Sequence, residues 1–138
     1  MADPELLLNV YRDNTNTVNT LWGIYYAIAL GVLGFVYKEE NLRNNWMALM
    51  LFSVGFAIFT YGNHTAMMRS QNVIISVNEA FHDNALLATI PDKRLAAILR
   101  AHAAATAKGI WLTHLILSVL VIGALWVPLA MQWWQRRA

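Results

Sequence analysis

The chain contains no cysteine, and only 13% of its 138 residues are charged. A soluble domain usually carries about 25% charged residues. Without cysteine there is no disulfide framework and no thiolate metal site. The ten Lys and Arg are scattered and the net charge is only +2, which excludes the clustered basic footprint of a nucleic-acid binder. The N-terminus carries Asp3 and Glu5 where a secretory leader would be basic, so no cleaved signal peptide is expected. Also missing are a phosphate-cradling glycine loop, an HExxH pair and a Ser/His/Asp set within one plausible pocket. Glu39 and Glu40 are adjacent in a turn and read as surface charges. An enzyme is therefore not expected.

What is present is apolar: hydrophobic residues make up 58%, with six Trp. LWGIYYAIALGVLGFVY (21–37), WMALMLFSVGFAIFTYG (46–62) and GIWLTHLILSVLVIGALWVPLAMQWW (109–134) are long runs whose only ionisable side chain, apart from tyrosines, is His114. A membrane span needs about 20 predominantly apolar residues, and its backbone must bond internally, so each run is expected to be helical. Trp22 and Tyr37, Trp46 and Tyr61, and Trp111 with Trp133 and Trp134 bracket the runs, as aromatic rings do at a membrane–water boundary. The short polar turn KEENLRNN (38–45) makes the first two helices antiparallel neighbours. Pro128 is expected to kink the third, with a nearby helix or water satisfying the carbonyl it frees. Arg12, Arg69, Lys93, Arg94, Arg100 and Lys108 outweigh Lys38, Arg43, Arg136 and Arg137, which favours a cytoplasmic N-terminus and middle region.

The fold class expected is all-α: a polytopic membrane protein with three transmembrane helices. The second and third extend beyond the bilayer as a long antiparallel hairpin. In FTYGNHTAMMRSQNVIISV (59–77) nothing halts the helix. Ala66, Met67, Ser70, Val73, Ile74, Val77, Ala80 and Phe81 form an apolar stripe, and Arg69, Asn72, Ser76, Glu79 and Asp83 a polar one. The return helix is expected to start at Thr89 as N-cap, with Pro91 in its first turn and Asp92 at N3, and to run unbroken into the last span. Leu95, Ile98, Leu99, His102 and Thr106 would share its inner face. Its many alanines permit close backbone approach, although alanine is also simply the best helix former. Each arm would project about 30 Å. So thin a hairpin has a weak core of its own and would gain by bundling with copies of itself.

The organisation expected is an interfacial or amphipathic segment over 1–20, two transmembrane helices over 21–62, the extramembrane hairpin over 63–108, and the third span and tail over 109–138. Asp3 can cap an early start of the first helix, with Pro4 at N1. Asn14, Asn16, Asn19 and Thr20 either line a wet pore or make interfacial and interhelical contacts. Gly23, Ala27 and Gly31 form a small-residue packing face, for the chain's own helices or for another copy.

His64 and His114 lie equally far either side of a turn at Thr89 and so fall at one depth. Two histidines on antiparallel helices can hold haem, or copper with Met67 or Met68 nearby. The plainer alternative is a pair of ordinary boundary residues. His82 and Asp83 read as solvated, and His102 as a packing residue.

These features favour a multi-pass integral protein of the cell membrane, an inner membrane. It would assemble with copies of itself and act as a pore, a channel, or a signalling or effector component. Its partners would be the lipid bilayer, its own copies and a protein at the hairpin, with no nucleic acid and no obligatory cofactor. The alternatives are a haem- or metal-carrying anchor subunit of a redox complex, or a structural accessory subunit without a site.

Overall fold

The computed structural model describes residues 4–81, 92–94, 96–97 and 106–137. Among them there are helices and no strand. Helix α1 covers Pro4–Lys38, α2 Glu40–Arg43, α3 Trp46–Phe81 and α4 Ala107–Gln135. Three of these, α1, α3 and α4, are long and apolar enough to cross a membrane. Only 17% of the most apolar stretch of each is buried within the chain. Leu30, Leu51, Ile58, Val119 and Leu120 are all exposed. Such a surface would be costly in water and is at no disadvantage in lipid.

Helix α1 starts at Pro4, whose missing N–H has no intrahelical partner at that position. Asp3, its expected cap, lies outside the described residues. The helix then runs without a break from the expected N-terminal segment into the first apolar run. The polar turn is partly helical: Glu39 is extended, α2 makes one turn, and Asn45 opens α3. The Asn45 side-chain oxygen accepts from the N–H groups of Met47 and Ala48 at 3.0 and 3.2 Å, an asparagine N-cap. Helix α3 continues through Gly62 to Phe81, the unbroken helix expected there.

By internal packing the chain divides into two compact units, Met1–Leu21 with Thr65–Trp111, and Trp22–His64 with Leu112–Ala138. In the second, α1, α3 and α4 pack as three neighbours. Val36, Leu49 and Leu125 form one buried cluster; Tyr25, Ala29 and Phe56 form another, with Leu117, Val121 and Ile122 against it. Pairing of Val36 with Leu49 near the turn, and of Tyr25 with Phe56 away from it, makes α1 and α3 antiparallel. Pro128 lies inside α4, and its ring nitrogen leaves the carbonyl of Ala124 without the usual donor four residues on. The Tyr37 hydroxyl donates to that carbonyl at 2.8 Å.

In the first unit Val77 and Phe81 are buried against Leu7, Leu8, Val10 and Tyr11. The apolar stripe of late α3, expected to face a returning helix and other copies, is therefore covered at its end by the chain's own N-terminus. The buried set is Met67, Gln71, Ile74, Val77 and Phe81, while Ala66 and Val73 face outward. The stripe is rotated from its expected position because Gln71 is buried, which no hydrophobicity pattern signals. Arg69, Asn72, Ser76 and Glu79 are exposed as expected.

The return differs from one continuous helix. Thr106 is not helical; its hydroxyl accepts from the Gly109 N–H at 3.1 Å and its carbonyl from the Ile110 N–H, so it is the N-cap of α4. Asp92, expected at N3, is instead the N-cap of the helical residues 93–94 and 96–97: its carboxylate accepts from the Arg94 N–H at 2.8 Å and its carbonyl from that of Ala96. Thr89, Pro91, Leu95 and the Ile98–His102 part of the expected inner face lie outside the described residues, as do His82 and Asp83.

Candidate functional site

The most polar place in the interior surrounds His114. It lies about two turns into α4, where the chain faces α1 and α3, and only 2% of its surface is exposed. Its ring stands 4.5 Å, centre to centre, from that of Tyr25 and 5.4 Å from that of Trp22. Both aromatics come from one face of α1, being three residues apart. The His114 Nε2 atom lies 3.4 Å from the side-chain nitrogen of Asn63, itself buried on α3. With the Asn63 amide donating, Nε2 is the unprotonated nitrogen and the ring proton sits on Nδ1.

A second chain of hydrogen bonds leaves the His114 backbone. The Ser118 hydroxyl donates to the His114 carbonyl at 2.6 Å, one turn back in α4. Its proton thus committed, Ser118 accepts from the Tyr25 hydroxyl at 3.1 Å. A buried phenol needs such a partner, and this one ties α1 to α4. Lower in the same unit the indole N–H of Trp126 donates to Ser53 at 3.0 Å, and Gln132 donates to Asn44. Polar bonds between helices thus recur along the length of the unit.

His64 completes the site. Its ring centre is 5.2 Å from that of His114, with the planes inclined at 47°. The sequence placed these two at one depth, and the structure brings their rings together. Two buried polar atoms on this face of α3 have no hydrogen-bond partner: the hydroxyl of Thr60 and Nδ1 of His64. They are four residues apart and therefore stacked on consecutive turns.

The haem expectation can be measured against this spacing. Imidazoles on opposite faces of a haem hold the iron between them at bonds of about 2 Å, which puts their ring centres roughly 6.3 Å apart with the macrocycle in the gap. At 5.2 Å, with Asn63 and the rings of Tyr25 and Trp22 against His114, this arrangement leaves no such gap. Among the described residues no three of His, Asp and Glu gather as a metal cluster.

The other expected site residues lie elsewhere. Asn14 donates to the Val10 carbonyl and Thr20 to that of Asn16, each four residues back in its own helix. Thr15 and Thr17 do the same. The hydroxyl donors of Thr15, Thr17 and Thr20 are thus engaged locally, as mid-helix hydroxyls often are, and Asn14 has one of its two N–H donors so engaged. Asn16 and Asn19 are exposed. Gly23, Ala27 and Gly31 all lie on the exposed side of α1, and a Cβ at Gly23 or Gly31 would meet nothing within 4 Å. The small-residue face is therefore not used by the chain's own helices.

Sequence reasoning singled out the two histidines and missed Tyr25, Asn63 and Ser118. Each is a polar residue within or at the edge of an apolar run, which is the available signal; which of them meet depends on helix rotation. No family model, curated protein or solved structure matches the chain, so function is argued from the geometry.

Proposed function

We propose that the chain is a multi-pass membrane protein that associates with copies of itself through α1 and works as that oligomer, as a pore or a membrane-embedded signalling or effector component. The observation that carries this reading is the bare small-residue face. Tyr25, Ala29 and Val36 use one side of α1 for the internal core, while Gly23, Ala27 and Gly31 leave the other side narrow and open. In lipid, where apolar side chains gain little by leaving acyl chains, close backbone approach is what drives helices together. In this reading α3 leaves the bilayer as an unbroken rod. The chain returns through the segment before Thr106, so that its middle forms a hairpin outside the membrane on the cytoplasmic side.

The test is the particle mass of purified protein in mild detergent, with and without Gly23→Leu and Gly31→Leu together. Because both sites open on empty space, the substitutions do not disturb the chain's own packing. The wild type should be a discrete oligomer and the double variant a monomer of unchanged helicity. A monomeric wild type, or an oligomer indifferent to the leucines, removes the proposal. Ion or dye release from liposomes, present in the wild type and lost with the oligomer, separates a pore from a signalling or effector component.

A further inference from the structure

We propose that His64 and His114 together bind one copper(I) ion between α3 and α4. The site is complete within one chain, so the inference stands apart from self-association.

Spacing is the first argument. An imidazole donor nitrogen lies about 1.1 Å from its ring centre and about 2.0 Å from a bound ion, so two rings on one ion at 110–120° have centres about 5.1–5.4 Å apart. The observed separation is 5.2 Å. A linear pair would need roughly 6.3 Å by the same bond lengths. The ring separation matches that of two neighbouring ligands on a bent or three-coordinate centre.

The nitrogens supply the second argument. Nδ1 of His64 is buried with no hydrogen-bond partner. Nε2 of His114 has only the Asn63 amide at 3.4 Å, longer than a usual N–H···N or N–H···O bond. In the tautomer that contact implies, the single Nε2 lone pair meets only the Asn63 N–H, a weak contact that a bound ion would replace. A buried imidazole nitrogen without a partner calls for an explanation, and a shared ion satisfies one on each ring. The Thr60 hydroxyl, also buried without a partner, lies one turn before His64 on the same face of α3 and is the oxygen donor for a third position.

Charge selects the ion. Imidazole nitrogen suits zinc, copper, iron and nickel rather than calcium or magnesium. Both ligands are neutral, and among the described residues no carboxylate joins them in a cluster. A divalent ion here would keep its full double charge in a poorly solvated setting, and the cost of burying charge grows with its square. A monovalent ion carries about a quarter of that cost. Copper(I) is the monovalent member of the imidazole-binding set, and it accepts low coordination. The rings of Tyr25 and Trp22 against His114 keep water from that side.

The experiment uses the full chain in detergent, loaded with copper under excess ascorbate and titrated with a chromophoric copper(I) chelator. One copper per chain is expected. His64→Ala and His114→Ala should each weaken retention at least tenfold, while a chain with both His82→Ala and His102→Ala keeps it. X-ray absorption of the loaded wild type should show two or three nitrogen or oxygen neighbours at about 2 Å and no sulfur. This spectrum, with the half-buried His64 variant, decides the matter even if His114→Ala fails to fold. The proposal is overturned if folded wild type retains no copper, if His64→Ala retains it undiminished, if the spectrum shows methionine sulfur, or if zinc(II) binds more tightly than copper(I).

Discussion

The hydroxyl of Tyr37 donates to the carbonyl of Ala124, the acceptor that Pro128 strips of its own helical donor. A proline in the interior of α4 is thereby tolerated because the last turn of α1 supplies the missing proton. Tyr37→Phe should destabilise the protein by about 1 kcal/mol, toward the low end for an orphaned carbonyl because the pair is partly exposed. In a Pro128→Ala background, where a backbone N–H at that position restores the helical bond, the same change should cost much less. A double-mutant cycle of unfolding in detergent measures this, and additive effects would sever the connection between the two residues.

The bond from Tyr25 to Ser118 is buried, and both residues come from long apolar runs. Ser118→Ala removes the acceptor and leaves the phenol unsatisfied, at a cost of about 1–3 kcal/mol. Tyr25→Phe removes only the hydroxyl, leaves Ser118 bonded to the His114 carbonyl, and should cost less. Equal losses in thermal or denaturant unfolding would contradict this asymmetry.

Late α3 depends on the N-terminus for its cover. Phe81 is 1% exposed and packs in a cluster with Leu7, Leu8, Val10 and Tyr11. Phe81→Ala should therefore destabilise that unit by about 3–5 kcal/mol. Removing residues 1–11 should raise amide exchange around Ile74–Phe81 without affecting Leu49–Phe56. Unchanged protection near Phe81 would mean that something other than α1 buries it.

Thr106 marks the start of α4 rather than a point inside a longer helix. Thr106→Val deletes the hydroxyl that holds the Gly109 N–H and should cost about 1 kcal/mol, with faster exchange at Gly109 and Ile110. Gly109→Ala should act in the same direction, because its Cβ would come within 3.1 Å of that hydroxyl. If helix continues through this point in the membrane-bound protein, both substitutions should instead be neutral or stabilising.

Much of the architecture is legible in the amino-acid order. Charge-free runs flanked by Trp and Tyr located three long helices, and the absence of a breaker after Gly62 carried α3 on to Phe81. Residue count placed His64 and His114 at one depth, while their contact depends on helix rotation that the count does not give. Less legible was the start of α4 at Thr106, because a threonine among alanines reads equally well as helix interior or as cap. The alanines around it promised continuity, whereas the Thr106 hydroxyl engages the Gly109 amide locally. The face of α3 that is buried was also displaced, because Gln71 and Asn63 lie inside while Val73 lies partly outside. Polarity patterns place such amides on the exterior.

By itself the amino-acid order determined that the three apolar runs are helical and that α3 continues past Gly62 to Phe81. Those properties depend on local backbone bonding and on apolar length, which are written consecutively along the chain. Which side of α1 is left bare at Gly23 and Gly31, which hydroxyl relieves Pro128, and which nitrogens face each other around His114 were decided only in three dimensions. Each depends on the rotation of one helix about its axis relative to another, and that angle is set by side-chain packing between residues tens of positions apart.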